Sequence, residues 1–161
     1  MRTLKYLLIA MLLIGGCGSV VKEEPKTASE EKTPRNYDKL SAEELLPLAE
    51  QGDAEAQYNL GTMYNQGKGV PKDNQLAVKW FRKAAEQGDA KAQNILGLMY
   101  DMGERVPQDY ILAHKWLNLA AAQGQKNAPK WRDDIAKKMT PSQIQEAQKL
   151  SRNFKPKKEN P

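Results

Sequence analysis

One cysteine and one histidine stand in a chain of 161 residues, so thiol, imidazole and metal chemistry have few places to occur. Cys17 follows Gly15-Gly16 and a short apolar run from Tyr6 to Ile14. Its thiol can accept an alkyl group, but there is no second cysteine for a disulfide and no metal-ligand spacing. His114 lies between Ala113 and Lys115, with Val78 in the matching place 36 residues earlier. No serine, cysteine or carboxylate is fixed near it by spacing, so it reads as a packed or solvated ring rather than a base. The adjacent carboxylates of Glu43-Glu44 and Asp133-Asp134 point to different sides of a helix and make no acid/base dyad. No phosphate-binding loop is present. These residues predict no catalytic site, no metal and no cofactor.

The elements that must position any site repeat at an offset of 36. Gly52-Asp53-Ala54-Glu55-Ala56-Gln57-Tyr58-Asn59-Leu60-Gly61-Thr62-Met63-Tyr64 returns as Gly88-Asp89-Ala90-Lys91-Ala92-Gln93-Asn94-Ile95-Leu96-Gly97-Leu98-Met99-Tyr100. A period of this length marks a solenoid of stacked helix pairs, which offers a surface rather than a pocket. In the first unit Ala56, Leu60, Met63 and Tyr64 fall on one helical face. After a loop through Gly69-Val70-Pro71-Lys72-Asp73, Leu76, Ala77, Trp80, Phe81, Ala84 and Ala85 make the broad apolar face of a second helix, which Gly88 ends. Ala92, Leu96, Met99 and Tyr100, then Leu112, Ala113, Trp116, Leu117, Ala120 and Ala121, repeat the arrangement. Gly61 and Gly97 sit inside helices, where glycine costs about 1 kcal/mol against alanine, and so mark close approaches of two backbones.

The ends are less regular. Ser41-Ala42-Glu43-Glu44 has the form of a capping box and opens a short helix, either kinked at Pro47 or regular only from Pro47 onward. After Gly124, Arg132 and Asp133 take the places of Leu60 and Gly61, and the apolar positions become Ala128, Trp131, Ile135 and Met139. Thr140-Pro141-Ser142-Gln143 caps a final helix with Ile144, Ala147, Leu150 and Phe154 on its apolar side. These two helices are expected to cap the stack at 124–154, and the basic tail 155–161, with Lys155, Lys157 and Lys158, to fray.

Residues 1–16 have the layout of a signal peptide, with Arg2 and Lys5 before an apolar run too short to span a bilayer. Leu13-Ile14-Gly15-Gly16-Cys17 resembles the lipobox of bacterial lipoproteins, which implies cleavage before Cys17 and its conversion to a lipidated thioether. An ordinary secretory signal is the alternative. Gly18 resembles the second mature position of outer-membrane lipoproteins, which implies an anchor in that membrane facing the periplasm. The segment 17–40 is polar and mixed in charge, and reads as a disordered tether. The formal charge of +5 includes Arg2 and Lys5 and gives no support to nucleic acid binding.

Surfaces remain as the sites. Trp80 and Trp116 recur within apolar faces and read as core anchors. On the helix side away from the core, Ile95, Leu98 and Met102 form an apolar strip where the first unit has Asn59, Thr62 and Gln66. The cover for this strip is either the next helix, with Trp131 and Ile135, or a partner segment. The candidate partner-binding groove comprises Tyr58, Thr62, Asn65, Asn94, Ile95, Leu98, Met102 and Trp131.

From about Ala49 to Ser151 the chain resembles the Sel-like repeats, relatives of the tetratricopeptide repeats. The resemblance rests on Gly52-Asp53-Ala54-Glu55-Ala56, Leu60-Gly61, Tyr64, Gly67-Lys68-Gly69-Val70-Pro71-Lys72-Asp73, Ala77-Val78-Lys79-Trp80 and Ala84-Ala85-Glu86-Gln87-Gly88. It implies an all-α, right-handed α-solenoid with a C-terminal capping helix, used for protein contacts and carrying no common catalytic residue. The second copy departs at Glu104-Arg105, where Arg105 replaces Gly69. The paired cysteines of a family branch linked to β-lactams are absent. The expected function is a lipid-anchored periplasmic scaffold whose partner is a protein or peptide of the cell envelope. A structural, cell-wall-associated assembly lipoprotein is a second reading, and an enzyme acting on peptidoglycan or β-lactams a third.

Overall fold

The computed structural model describes residues 36–157, and these are helical with no strand. A 3₁₀ turn at Tyr37–Lys39 precedes seven helices: α1 (Ala42–Glu50), α2 (Ala54–Gln66), α3 (Asn74–Glu86), α4 (Ala90–Met102), α5 (Tyr110–Ala122), α6 (Ala128–Ala136) and α7 (Pro141–Arg152). Helices α2 and α3 form one antiparallel hairpin and α4 and α5 the next, while α1 packs on α2 and α3 on α4. The result is the expected solenoid. Residues 1–16, Cys17 and most of the segment read as a tether lie outside the described residues.

The first two junctions between units are written in a glycine and an aspartate. Gly52 and Gly88 take φ of 91° and 102°, a left-handed turn that glycine enters without steric cost. The next residue then caps the following helix: Asp53 accepts from the Ala56 amide at 3.0 Å, and Asp89 from the Ala92 amide at 2.7 Å. At the third junction Gly124 keeps its positive φ, but Gln125 replaces the aspartate. Consequently α6 starts at Ala128 behind Asn127, which makes no side-chain cap bond.

The two glycines inside helices do mark close approaches. A Cβ on Gly61 would lie 2.9 Å from Phe81 Cδ1, and one on Gly97 2.7 Å from Leu117 Cγ. Asp133 occupies the corresponding place in α6, where no such approach is made: α7 packs on α5 instead of completing a third hairpin with α6. The loss of the Leu-Gly pair therefore accompanies the loss of the partner helix.

Several local expectations need correction. Helix α1 begins at Ala42 behind the Ser41–Glu44 capping box and runs through Pro47, so its turns do not wait for the proline. Order reaches back into the expected tether, because Tyr37 and Leu40 pack against the cluster around Leu45, Leu60 and Trp80, and Tyr37 Oη donates to Asp53 Oδ2 at 2.6 Å. Leu150 is exposed, and the position facing inward is Ser151, whose hydroxyl donates to Ala147 O at 2.9 Å. The tail does not fray as far as Lys157. Its amide donates to Glu86 O at 2.9 Å, its ammonium lies 2.7 Å from Glu86 Oε2, and Phe154 sits edge-on to Trp116 with 5.6 Å between ring centroids. Arg105 adopts φ of 69°, close to the 74° of Gly69, and the loop closes as in the first unit: the amides of Asp73 and Asp109 donate to Tyr64 O and Tyr100 O, both at 3.0 Å.

Candidate functional site

Helices α2 and α4 present the surface on which the candidate groove was placed. The structure divides that surface. Thr62 lines a concavity of about 430 Å³ with Asn59, Met63 and Gln66 of α2, opposite Tyr37, Leu40 and Glu44. Met63 packs against the cluster of Leu45, Leu60 and Trp80, as the helical face predicts, and its half-buried side chain also forms part of this wall. Tyr58 looks toward the neighbouring repeat: its ring packs on Phe81 at 6.0 Å and lies under the Lys91 ammonium at 5.4 Å.

On α4 the strip at Ile95, Leu98 and Met102 is graded. Ile95 and Leu98 are half-buried and pack against the main core cluster, as Trp131 of α6 does. Met102 is 53% exposed. The internal cover thus reaches the first two residues of the strip and stops before the third. Asn65 and Asn94 are half-buried, and their Oδ1 atoms are out of contact with solvent and without a hydrogen-bond partner.

The residues missed by the apolar pattern are amides. Gln57 and Gln93 are fully buried at equivalent places. Gln57 Nε2 donates to Ala49 O of α1 at 2.9 Å while its Oε1 accepts from Gln87 Nε2 at 2.8 Å. Gln93 does the same one repeat later, donating to Ala85 O at 3.1 Å and accepting from Gln123 Nε2 at 2.8 Å. Each amide ties the C-terminal ends of the preceding and the following helix to its own helix. The recurrence of Ala-Gln at 56–57 and 92–93 was the signal available in the sequence.

The groups considered for catalysis have structural surroundings. His114 is buried on α5, with Nδ1 lacking a partner, and burial followed by the nearby Arg132 charge holds its pKa below the ordinary value. Arg132 Nη1 donates to Asn118 Oδ1 at 3.1 Å and joins α6 to α5. Glu44 is lowered by the Ser41 backbone and hydroxyl bonds of its capping box, and Asp134 by its bond to Lys137. Trp80 and Trp116 are core residues, with the Lys79 and Lys83 ammonium groups over the ring of Trp80 and that of Lys115 at 4.0 Å over Trp116. Among the described residues no group of histidine, cysteine, aspartate and glutamate side chains is placed to hold a metal, and no helix is long and apolar enough to cross a membrane.

Tandem helical hairpins with glycine-aspartate junctions define a helical-repeat protein. The Sel1 repeat model matches residues 54–89 and 90–125, the two units described above. A solved Sel1 repeat protein from Oxalobacter formigenes is 42% identical, with a TM-score of 0.55 over 57% of this chain and 69% of that one. A protective antigen of uropathogenic Escherichia coli strains that displays an SLR fold is 40% identical, with a TM-score of 0.66 over 70% of this chain. The match spans only 24% of the length of that E. coli protein. No curated protein matches the chain. The chain belongs to the Sel1 repeat family, whose members generally act as non-catalytic scaffolds for protein contacts.

Proposed function

We propose that this protein is a lipid-anchored scaffold of the bacterial cell envelope, held at Cys17 and facing the periplasm from the outer membrane. It binds an extended or helical segment of another envelope protein along α2 and α4. The observation that carries the binding reading is Met102, more than half exposed at the end of a strip whose inner members, Ile95 and Leu98, are already packed. The equivalent positions of α2, Asn59, Thr62 and Gln66, line a concavity of mixed polar and apolar character, so one partner segment would meet side-chain amides at one repeat and an apolar contact at the next. The anchor rests on the sequence before Gly18, where the apolar run and Leu13-Ile14-Gly15-Gly16-Cys17 fit a lipidation signal.

A photo-crosslinking residue at position 102 tests the binding face, with one at exposed Lys79 as the control. The expected outcome is a reproducible protein adduct from position 102 that the Thr62→Ala background weakens. Equal labelling from both positions refutes the face. Alanine at Leu98 is a poor probe, because its half-buried side chain also supports the core. Radiolabelled palmitate is expected to mark the mature chain and to be lost in Cys17→Ser; an unlabelled wild type refutes the anchor.

A further inference from the structure

The charge of the domain is sorted along its length. Between residues 36 and 66 six carboxylates stand against a single cation, Lys39, whereas between 123 and 157 nine cations stand against three carboxylates. Ion pairing does not cancel either surplus. Glu43, Glu50 and Glu55 at the first end have no ion-pair partner among the described residues, and neither do Lys126, Lys149, Arg152 and Lys155 at the other.

Each charged end also carries an exposed leucine. Glu43, Leu46 and Glu50 follow i, i+3, i+7 spacing and so form one line along α1, with Leu46 38% exposed. On α7, Leu150 is 37% exposed, and Lys149 and Arg152 are exposed nearby. Helix α1 occupies the place that α3 and α5 hold in later repeats. Those helices pack on a neighbour both before and after them, whereas among the described residues α1 packs chiefly on α2, with Trp80 of α3 reaching the same cluster, and no described helix precedes it.

We propose that the two ends are complementary to each other, and that the α1 end of one copy docks on the α7 end of the next. The occupant is a second copy because the opposite charge and the apolar contact that each end needs are both present on this chain. Unlike charges steer the encounter, and the leucines give it a dehydrated centre. A contact between different surfaces leaves one free end of each kind on every dimer, so it propagates head to tail into rows, or into a ring where the rotation closes, rather than stopping at a symmetric dimer.

Sedimentation velocity of the full chain in a neutral detergent tests this. The expected result is concentration-dependent dimers and trimers at low salt, weakened at least about tenfold near 0.5 M salt as the charges are screened. E43K/E50K and K149E/R152E, each with an unchanged helical spectrum, are expected to be monomeric alone. An equimolar mixture of the two is expected to associate again, since each then supplies the end that the other repels. A wild type that stays monomeric at low salt overturns the proposal, and so does association indifferent to both reversals. A monomeric chain that cosediments with anionic vesicles through Lys149 and Arg152 also overturns it, and assigns the basic end to lipid.

Discussion

Replacing Gly97 with alanine sets two known effects against each other. Alanine is favoured over glycine inside a helix by about 1 kcal/mol, so on propensity alone the change stabilises α4. The new methyl carbon would lie 2.7 Å from Leu117 Cγ and 3.2 Å from both Leu117 Cδ2 and the Ala113 carbonyl oxygen. Leu117 is fully buried and the carbonyl belongs to the α5 backbone, so relief requires moving one helix against the other. Overpacking of this kind costs about 1–3 kcal/mol, and a contact this short belongs in the upper part of that range. The net expectation is a loss of about 1–2 kcal/mol, or roughly 4–8 °C in Tm for a domain of this size. Urea unfolding followed by helical circular dichroism checks it, with a lower midpoint at unchanged slope. Leu117→Ala supplies the control, because the double variant G97A/L117A should lose less than the two single losses combined. Gly61→Ala should cost no more than Gly97→Ala, its nearest contact being the Phe81 ring edge at 2.9 Å. A Gly97→Ala protein about 1 kcal/mol more stable than the wild type, as propensity predicts, refutes the close-approach reasoning.

Other substitutions follow from the same contacts. Gln93→Leu breaks two buried bonds and leaves the Gln123 amide without its acceptor, so it should cost about 1–3 kcal/mol in the same urea assay, whereas a neutral result would make the amide tie incidental. Arg105→Gly relieves a left-handed φ of 69° and should raise stability by a few tenths to about 1 kcal/mol, since the Arg105–Glu104 pair is long at 3.7 Å and its glutamate is exposed, so it offsets little; calorimetry reads the change. His114 is held neutral in the folded state below its ordinary pKa of 6.5, so the unfolded chain takes up the proton first and stability falls as pH is lowered through that range. The His114→Val variant, carrying the residue found at Val78, should lose this portion of the pH dependence in midpoints measured between about pH 7 and 5.

The hairpins were legible because their apolar positions recur with the helical period and their junctions carry glycine and aspartate at fixed places. Gly61 and Gly97 announced backbone contacts before any helix was placed. What the apolar pattern could not register was a buried polar side chain: Gln57 and Gln93 are fully buried, and a hydropathy reading assigns amides to the surface. Leu150 failed for the opposite reason. A leucine at helical spacing points inward only if the neighbouring helix lies on that side, and α7 turns Ala147 and Ser151 toward α5 instead. Arg105 was opaque because the loop's closing bond imposes a conformation that its residue type disfavours. The candidate groove was legible position by position but not as one surface, since the division of α2 between Thr62 at the concavity and Tyr58 at the Lys91 seam depends on the helices placed around it.

Asp53 holds two things at once, the first turn of α2 and the hydroxyl of Tyr37. Any pull exerted on the chain upstream of Asn36 therefore arrives first at the Tyr37–Asp53 bond and at the packing of Tyr37 and Leu40 on Leu45, Leu60 and Trp80. The first repeat thus takes up the load through the same core that α1 completes, since Leu45 and Ala49 are fully buried beside Leu60 and Trp80.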